Sequence, residues 1–131
     1  MDDDFFAVSD AAVAHAGSTK PGDVADCLGI MVYDLTGTIT ALATRYSYFP
    51  VIGLNFKLKG MWRDYAFWHE IGHVVKGHID EPGFSTKHFG SVLFSQEVDS
   101  RSIPRNEREA NIISAEYNIE TKTVLEVIAY D

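Results

Sequence analysis

The first part of the chain has the pattern of two short helices. Residues 5–16 are rich in Ala and Val and contain neither Gly nor Pro, so we expect a helix that ends at Gly17. Pro21 suits the first turn of a second helix, whose apolar stretch at 24–28 is followed by Gly29. Both helices are expected to act as packing elements.

The pattern then changes to short runs of β-branched and aromatic residues, which are typical of strands. Three such runs lie at 30–33, 38–44 and 51–56. A turn-prone segment at 34–37 and the segment around Pro50 separate them. We therefore predict a small antiparallel or mixed sheet of three strands.

Helical character returns at Met61–Lys76, and Gly77 is the expected C-terminal stop of that helix. The stretch at 79–103 is longer than most connections between elements, so we expect a small hairpin inside it, near 89–94.

Pro104 suits the first turn of a further helix that runs to about Tyr117, and a short final helix is expected at 121–129. The order of two helices, a sheet and then more helices predicts an α+β fold. With 131 residues, the chain has the size of one domain, which we assign to 1–131.

Composition excludes several classes of protein. The apolar fraction of 46% and the charged fraction of 23% are those of an average globular domain, not of a collagenous, low-complexity or disordered chain. Acidic residues outnumber basic ones by 19 to 11, which gives a net charge of −8. Direct binding to nucleic acid is disfavoured, because nonspecific affinity for phosphates comes largely from Lys and Arg.

The cysteine content and the first residues indicate a cytoplasmic protein. Cys27 is the single cysteine, which excludes an intrachain disulfide framework and a multi-cysteine zinc site. The start of the chain, Met1–Asp4, is acidic where a secretory signal would be basic. No apolar run approaches the roughly 20 residues that a bilayer crossing needs, so no membrane association is expected.

The string with the clearest chemistry is His69-Glu70-Ile71-Gly72-His73, an HExxH pattern inside the predicted 61–76 helix. His73 falls about 40° from His69 on a helical wheel, so one Zn²⁺ can bridge both imidazoles. Glu70 lies one step around the helix, where it can reach a water molecule at the metal without ligating the metal. Metal-assisted hydrolysis requires this division of roles.

A catalytic zinc site normally has three protein ligands, and the downstream helix offers two candidate carboxylates. Glu107 shares a helical sector with Asn111 and Ser114, next to the small Ala110. Glu109 points about 160° away from Asn111, on a side that is charged like a solvated face. This geometry favours Glu107 as the third ligand, with Glu109 and a plain surface role for Glu107 as alternatives.

Other polar residues near these motifs have less certain roles. Asn111 is expected to accept the second ring N–H of His69 or His73 and so fix its tautomer, with a plain surface amide as the alternative. His78 would face away from both histidines on a continued helix, and Gly77 is expected to end the helix before it, so we interpret His78 as a capping or packing residue. Three tyrosines are candidates for stabilising an oxyanion, and the sequence does not choose among them: Tyr48, Tyr65 and Tyr117.

Three segments in this order resemble the ImmA/IrrE family of metallopeptidases. An I-x-x-N strand lies at 51–56, an H-E-x-x-H-x-x-x-G-H helix at 63–78 and an E-x-E-A-N helix at 106–116. The resemblance covers about 30–119, and the paired motifs are more specific than HExxH alone. The chain departs from the family pattern after the last motif, where Tyr117-Asn118-Ile119-Glu120 replaces the usual apolar segment and Ile113 replaces a Phe.

The resemblance implies a compact, zincin-like fold with a small sheet packed on the active-site helix. It implies a gluzincin-like peptidase with His69, His73 and Glu107 as zinc ligands and Glu70 as the base. The implied substrate is a helix-turn-helix repressor of a phage or mobile element, encoded separately, and the implied role is that of an anti-repressor. Two alternatives are a non-catalytic module that controls a repressor by binding alone and a hydrolase of nonpeptide bonds. The oligomeric state is left open.

Overall fold

The structure, a computed structural model, describes residues 3–81, 88–89 and 105–118. Within these residues, five helical segments and four strands follow a short 3-10 turn at the start of the chain. In chain order they are α1 (Ala7–Ala16), α2 (Pro21–Cys27), β1 (Met31–Leu35), β2 (Ile39–Tyr46), β3 (Phe49–Asn55), α3 (Gly60–Val75), the 3-10 turn His78–Asp80, β4 (His88–Phe89) and α4 (Arg105–Tyr117).

The predicted α+β class is confirmed, and each of the three predicted strands is present to within a few residues. One correction concerns the sheet, which gains a fourth strand, the two-residue β4 beside β2. This strand starts one residue before the expected hairpin at 89–94, most of which lies outside the described residues. The expected helix at 121–129 also lies outside them.

The sheet is mixed, with strand order β1-β3-β2-β4. β3 lies between the two strands that precede it, parallel to β1 and antiparallel to β2. Asn55, at the end of β3, holds the β1–β2 connection against it, because its Nδ2 donates to the carbonyls of Gly37 (3.1 Å) and Ile39 (2.9 Å). Its Oδ1 accepts from the backbone N–H of Lys57 at 3.0 Å. The buried amide thus supplies hydrogen bonds to two backbone carbonyls where β2 begins.

One face of the sheet packs on α3, and the core lies between them. Alternate residues of β2 and β3 point into this layer, as the period of a strand requires. Trp68 extends the core on the far side of α3: its Nε1 donates to the Thr19 carbonyl at 2.9 Å, and its ring stacks on Tyr117 at 5.0 Å. The fully buried apolar side chains include Ala41, Ile52, Leu54, Tyr65, Ala66, Trp68, Ile71 and Ile113.

None of the helices in the described part of the chain has the length and apolarity that a membrane crossing requires.

Candidate metal centre

The HExxH residues lie in the buried half of α3. His69 and His73 are one helical turn apart, so their rings meet edge to face with centroids 4.8 Å apart. Their Nε2 atoms are 3.2 Å from each other. His69, Glu70 and His73 are each at most 1% exposed, and their ligand atoms all lie within 4.8 Å of one another. This buried group can hold a metal ion.

A close crossing of α3 and α4 brings Glu107 to the same place. A methyl group added at Gly72 would lie 2.8 Å from Ala110 Cα and 2.9 Å from its carbonyl oxygen, so the crossing requires glycine at that position. The crossing lets Glu107 Oε2 reach His69 Nε2 at 3.2 Å and His73 Nε2 at 3.0 Å. The helical wheel predicted this side of α4 to approach another helix, and the structure brings these residues together.

The distances among these three atoms suit a tetrahedral ion. Zinc bonds to nitrogen and oxygen of about 2.0–2.1 Å imply tetrahedral edges of about 3.3–3.4 Å. The observed edges, from 3.0 to 3.2 Å, are within a few tenths of an ångström of that value. Glu70 forms a group with the same two histidines in which the ligand atoms all lie within 4.8 Å of one another. Glu107 has the contacts of a ligand, with one oxygen 3.0–3.2 Å from both Nε2 atoms.

Asn111 contacts the outer nitrogen of His69. Its Oδ1 is 2.6 Å from His69 Nδ1 and accepts a second hydrogen bond from the Tyr65 hydroxyl at 3.1 Å. Because a carboxamide oxygen only accepts, the His69 ring proton lies on Nδ1 and the Nε2 lone pair faces Glu107. Asn111 thus occupies the place that the sequence analysis expected for it.

The structure separates the three tyrosines that the sequence left open. The Tyr65 hydroxyl is committed to Asn111, and the Tyr117 hydroxyl bonds to Ser9 and Asp10 on α1. The Tyr48 side chain lies on the surface. Tyr65 therefore contacts the candidate metal centre through Asn111, on the side of His69 away from the ligand atoms.

His78 is buried, in keeping with a packing role, but its contact with His73 is one that helical angles did not predict. α3 ends at Val75, and Gly77 turns the chain back with a φ of 74°, so the wheel of a continued helix does not apply to His78. His78 is buried, and its Nδ1 is 3.0 Å from His73 Nδ1. Its Nε2 bonds to Glu109 Oε1 at 2.7 Å. Glu109, expected on a solvated face, is only 25% exposed at its side chain because of this contact.

The protein environment favours the neutral form of His73. Burial lowers the pKa of His73 below its ordinary value, and the Glu107 carboxylate opposes part of this effect. A neutral imidazole is the form that binds a metal ion.

Comparison of the chain with protein-family models, with curated proteins and with solved structures finds no match. The arrangement of side chains around His69 and His73 is therefore the feature of the structure that bears on function.

Proposed function

We propose that this chain is a zinc-dependent endopeptidase with His69, His73 and Glu107 as metal ligands and Glu70 as the general base. The observation that carries the proposal is the convergence of two imidazole nitrogens and one carboxylate oxygen from α3 and α4 to within 3.2 Å of one another. Two nitrogens and one oxygen form a donor set that zinc accepts readily, and three protein ligands leave a fourth position for substrate or water.

Zinc bound at such a centre supplies Lewis acidity, which polarises a scissile carbonyl and lowers the pKa of water towards about 7. The chain supplies the proton transfers. Glu70 lies beside the ligands in α3 and is fully buried, so its carboxylate is suited to take the proton of the attacking water. The same carboxyl group then delivers that proton to the departing amine. The outer nitrogens of His69 and His73 are held by hydrogen bonds, which fix the orientation of each ring.

The proposed substrate is a helix-turn-helix repressor of a phage or mobile element, met in the cytoplasm. The support for this step is the resemblance of the three ordered motifs to the ImmA/IrrE metallopeptidases. The acidic net charge of −8 agrees with a protein substrate rather than direct contact with DNA.

Burial of the centre favours one rival function, a non-catalytic module that regulates a repressor by binding alone. His69, Glu70 and His73 are each at most 1% exposed, whereas hydrolysis needs the scissile bond to reach them. In this rival the ion would stabilise the fold, and Glu70 would have no chemical role.

The substitution Glu70→Gln distinguishes the two functions. Where a helix-turn-helix repressor is encoded beside this chain's gene, it is incubated with wild-type protein and with Glu70→Gln, each after metal analysis. The peptidase proposal expects equal zinc content in both proteins and repressor fragments only with the wild type. A stoichiometric complex without fragments would support the rival, and fragments at the wild-type rate with Glu70→Gln would show that Glu70 is not the base.

A further inference from the structure

A chain of hydrogen bonds lies behind His73, on the side away from the candidate ligand atoms. His78 Nδ1 is 3.0 Å from His73 Nδ1, and His78 Nε2 is 2.7 Å from Glu109 Oε1. His78 is 1% exposed, so the contact between the two rings is shielded from water. His78 therefore contacts the outer nitrogen of His73 and does not belong to the ligand set.

Only one arrangement of protons along these hydrogen bonds leaves the Nε2 atom of His73 able to bind a metal ion. A carboxylate only accepts, so Glu109 places the ring proton of His78 on Nε2. His78 Nδ1 is then an acceptor, and the hydrogen bond at 3.0 Å places the proton of His73 on Nδ1. This order leaves the lone pair of His73 Nε2 for a metal, whereas in metal-free protein Glu107, 3.0 Å from that nitrogen, competes with His78 for the ring proton.

We propose that His78 and Glu109 are positioning residues that fix the tautomer and ring orientation of His73 for metal binding. This inference rests on the proposed function, because it assigns a purpose to a pair that would otherwise be a packing contact. Asn111 contacts Nδ1 of His69 in the same way, so each candidate ligand histidine has its own partner on the side away from the metal position. Such partners are worth about 10- to 100-fold in metal affinity.

A separate contact holds the 3-10 turn that carries His78. Arg45 on β2 bonds to Asp80 through two nitrogens, Nε to Oδ1 at 2.7 Å and Nη2 to Oδ2 at 3.0 Å. This pair anchors the turn to the sheet without touching the two histidines. The substitution Asp80→Asn is therefore a control for any effect that comes only from the placement of the turn.

The experiment compares the full 131-residue chain with the variants Glu109→Ala, Glu109→Gln and His78→Phe. Glu116→Ala, which removes an exposed carboxylate from the same helix, and Asp80→Asn serve as controls. Two quantities are measured: the tautomer of His73 in metal-free protein, by nitrogen-15 NMR of labelled histidine, and zinc affinity, by competition with a chromophoric chelator. The tautomer is a readout that a merely structural contact would not change.

In the wild type we expect the His73 proton on Nδ1. Glu109→Ala and His78→Phe should lose that preference and bind zinc about 10- to 100-fold more weakly. Glu109→Gln, which keeps an acceptor oxygen, should lose less affinity than Glu109→Ala. The double variant His78→Phe with Glu109→Ala should bind zinc no more weakly than the worse of the two single variants, since both residues act through the same chain of hydrogen bonds.

Three results would overturn the inference: a loss of less than tenfold in Glu109→Ala, an unchanged tautomer in that variant, or an equal loss in Asp80→Asn. A wild-type protein that does not bind zinc would instead refute the proposed function. The tautomer comparison in metal-free protein would still decide the role of His78 and Glu109 in that case.

Discussion

The substitution Gly72→Ala tests whether the close approach of α3 and α4 creates the metal centre. The added methyl group would lie 2.8 Å from Ala110 Cα and 2.9 Å from its carbonyl oxygen. Carbon atoms in ordinary contact are about 3.5–4.0 Å apart, so α4 must move away by roughly 1 Å. Metal sites tolerate ligand displacements of only about 0.2 Å. A shift of this size therefore takes Glu107 out of bonding distance while His69 and His73 stay together on α3.

The expected effects on stability and on zinc binding differ in size. Overpacking costs about 1–3 kcal/mol, and replacing glycine by alanine inside a helix returns about 1 kcal/mol. The free energy of unfolding of the metal-free protein should thus fall by about 0–2 kcal/mol, measured by urea denaturation. Zinc affinity should fall by more than the 10- to 100-fold typical of a lost outer partner, because a ligand itself is displaced. A chelator-competition titration measures this loss.

Two control variants make the test specific. Gly22→Ala introduces the same methyl group into α2, where no atom lies within 4 Å, and should leave zinc affinity unchanged. Ala110→Gly combined with Gly72→Ala should not restore binding, because the collision is with the Ala110 backbone. A folded Gly72→Ala protein that binds zinc within twofold of the wild type would refute the reasoning.

Three further predictions concern the ligands and the packing of α4. Glu107→Gln should lower zinc affinity more than Glu70→Gln does in the same chelator titration, and the reverse order would exchange their roles. Zinc at 100 times its dissociation constant should stabilise the fold by about 2.7 kcal/mol, and a chelator should remove this gain in thermal unfolding. Tyr117→Phe should cost about 0.5–1.5 kcal/mol, because it deletes the hydroxyl that bonds to Ser9 and Asp10. Burial, followed by the hydrogen bond to Asp10, raises the pKa of Tyr117 above its ordinary value. The un-ionised hydroxyl therefore stabilises the fold below pH ~10, and this stabilisation is lost as the pH rises above that value. The alkaline loss should be smaller in Tyr117→Phe, as measured by urea denaturation across that range.

Local patterns predicted the elements of this fold, and contacts between distant segments explain what they missed. Runs of β-branched and aromatic residues identified β1, β2 and β3 because that signal lies within each strand. The insertion of β3 between β1 and β2 depends on pairing across the chain and on Asn55, which no local period reveals. β4 contributes only two residues, too few for a periodic signal.

The same holds for the candidate site: local helical spacing predicted part of it, and contacts between distant segments account for the rest. Helical spacing was enough to place His69 beside His73 and to choose the side of α4 on which Glu107 lies, because both statements concern one rigid helix. The place of His78 depends on the reversal at Gly77, after which helical angles carry no information. The glycine before His78 was the signal that the chain could return to α3, and its consequence needed the structure.

Helix α4 supplies side-chain oxygens that face three ring nitrogens and, through His78, a fourth. Glu107 faces Nε2 of His69 and of His73, and Asn111 faces Nδ1 of His69. Glu109 reaches Nδ1 of His73 through His78. Since all these oxygens belong to one helix, their positions depend together on the crossing at Gly72 and Ala110. Metal affinity should therefore follow the docking of α4, and a change that loosens this helix should weaken zinc binding even when every candidate ligand is still present.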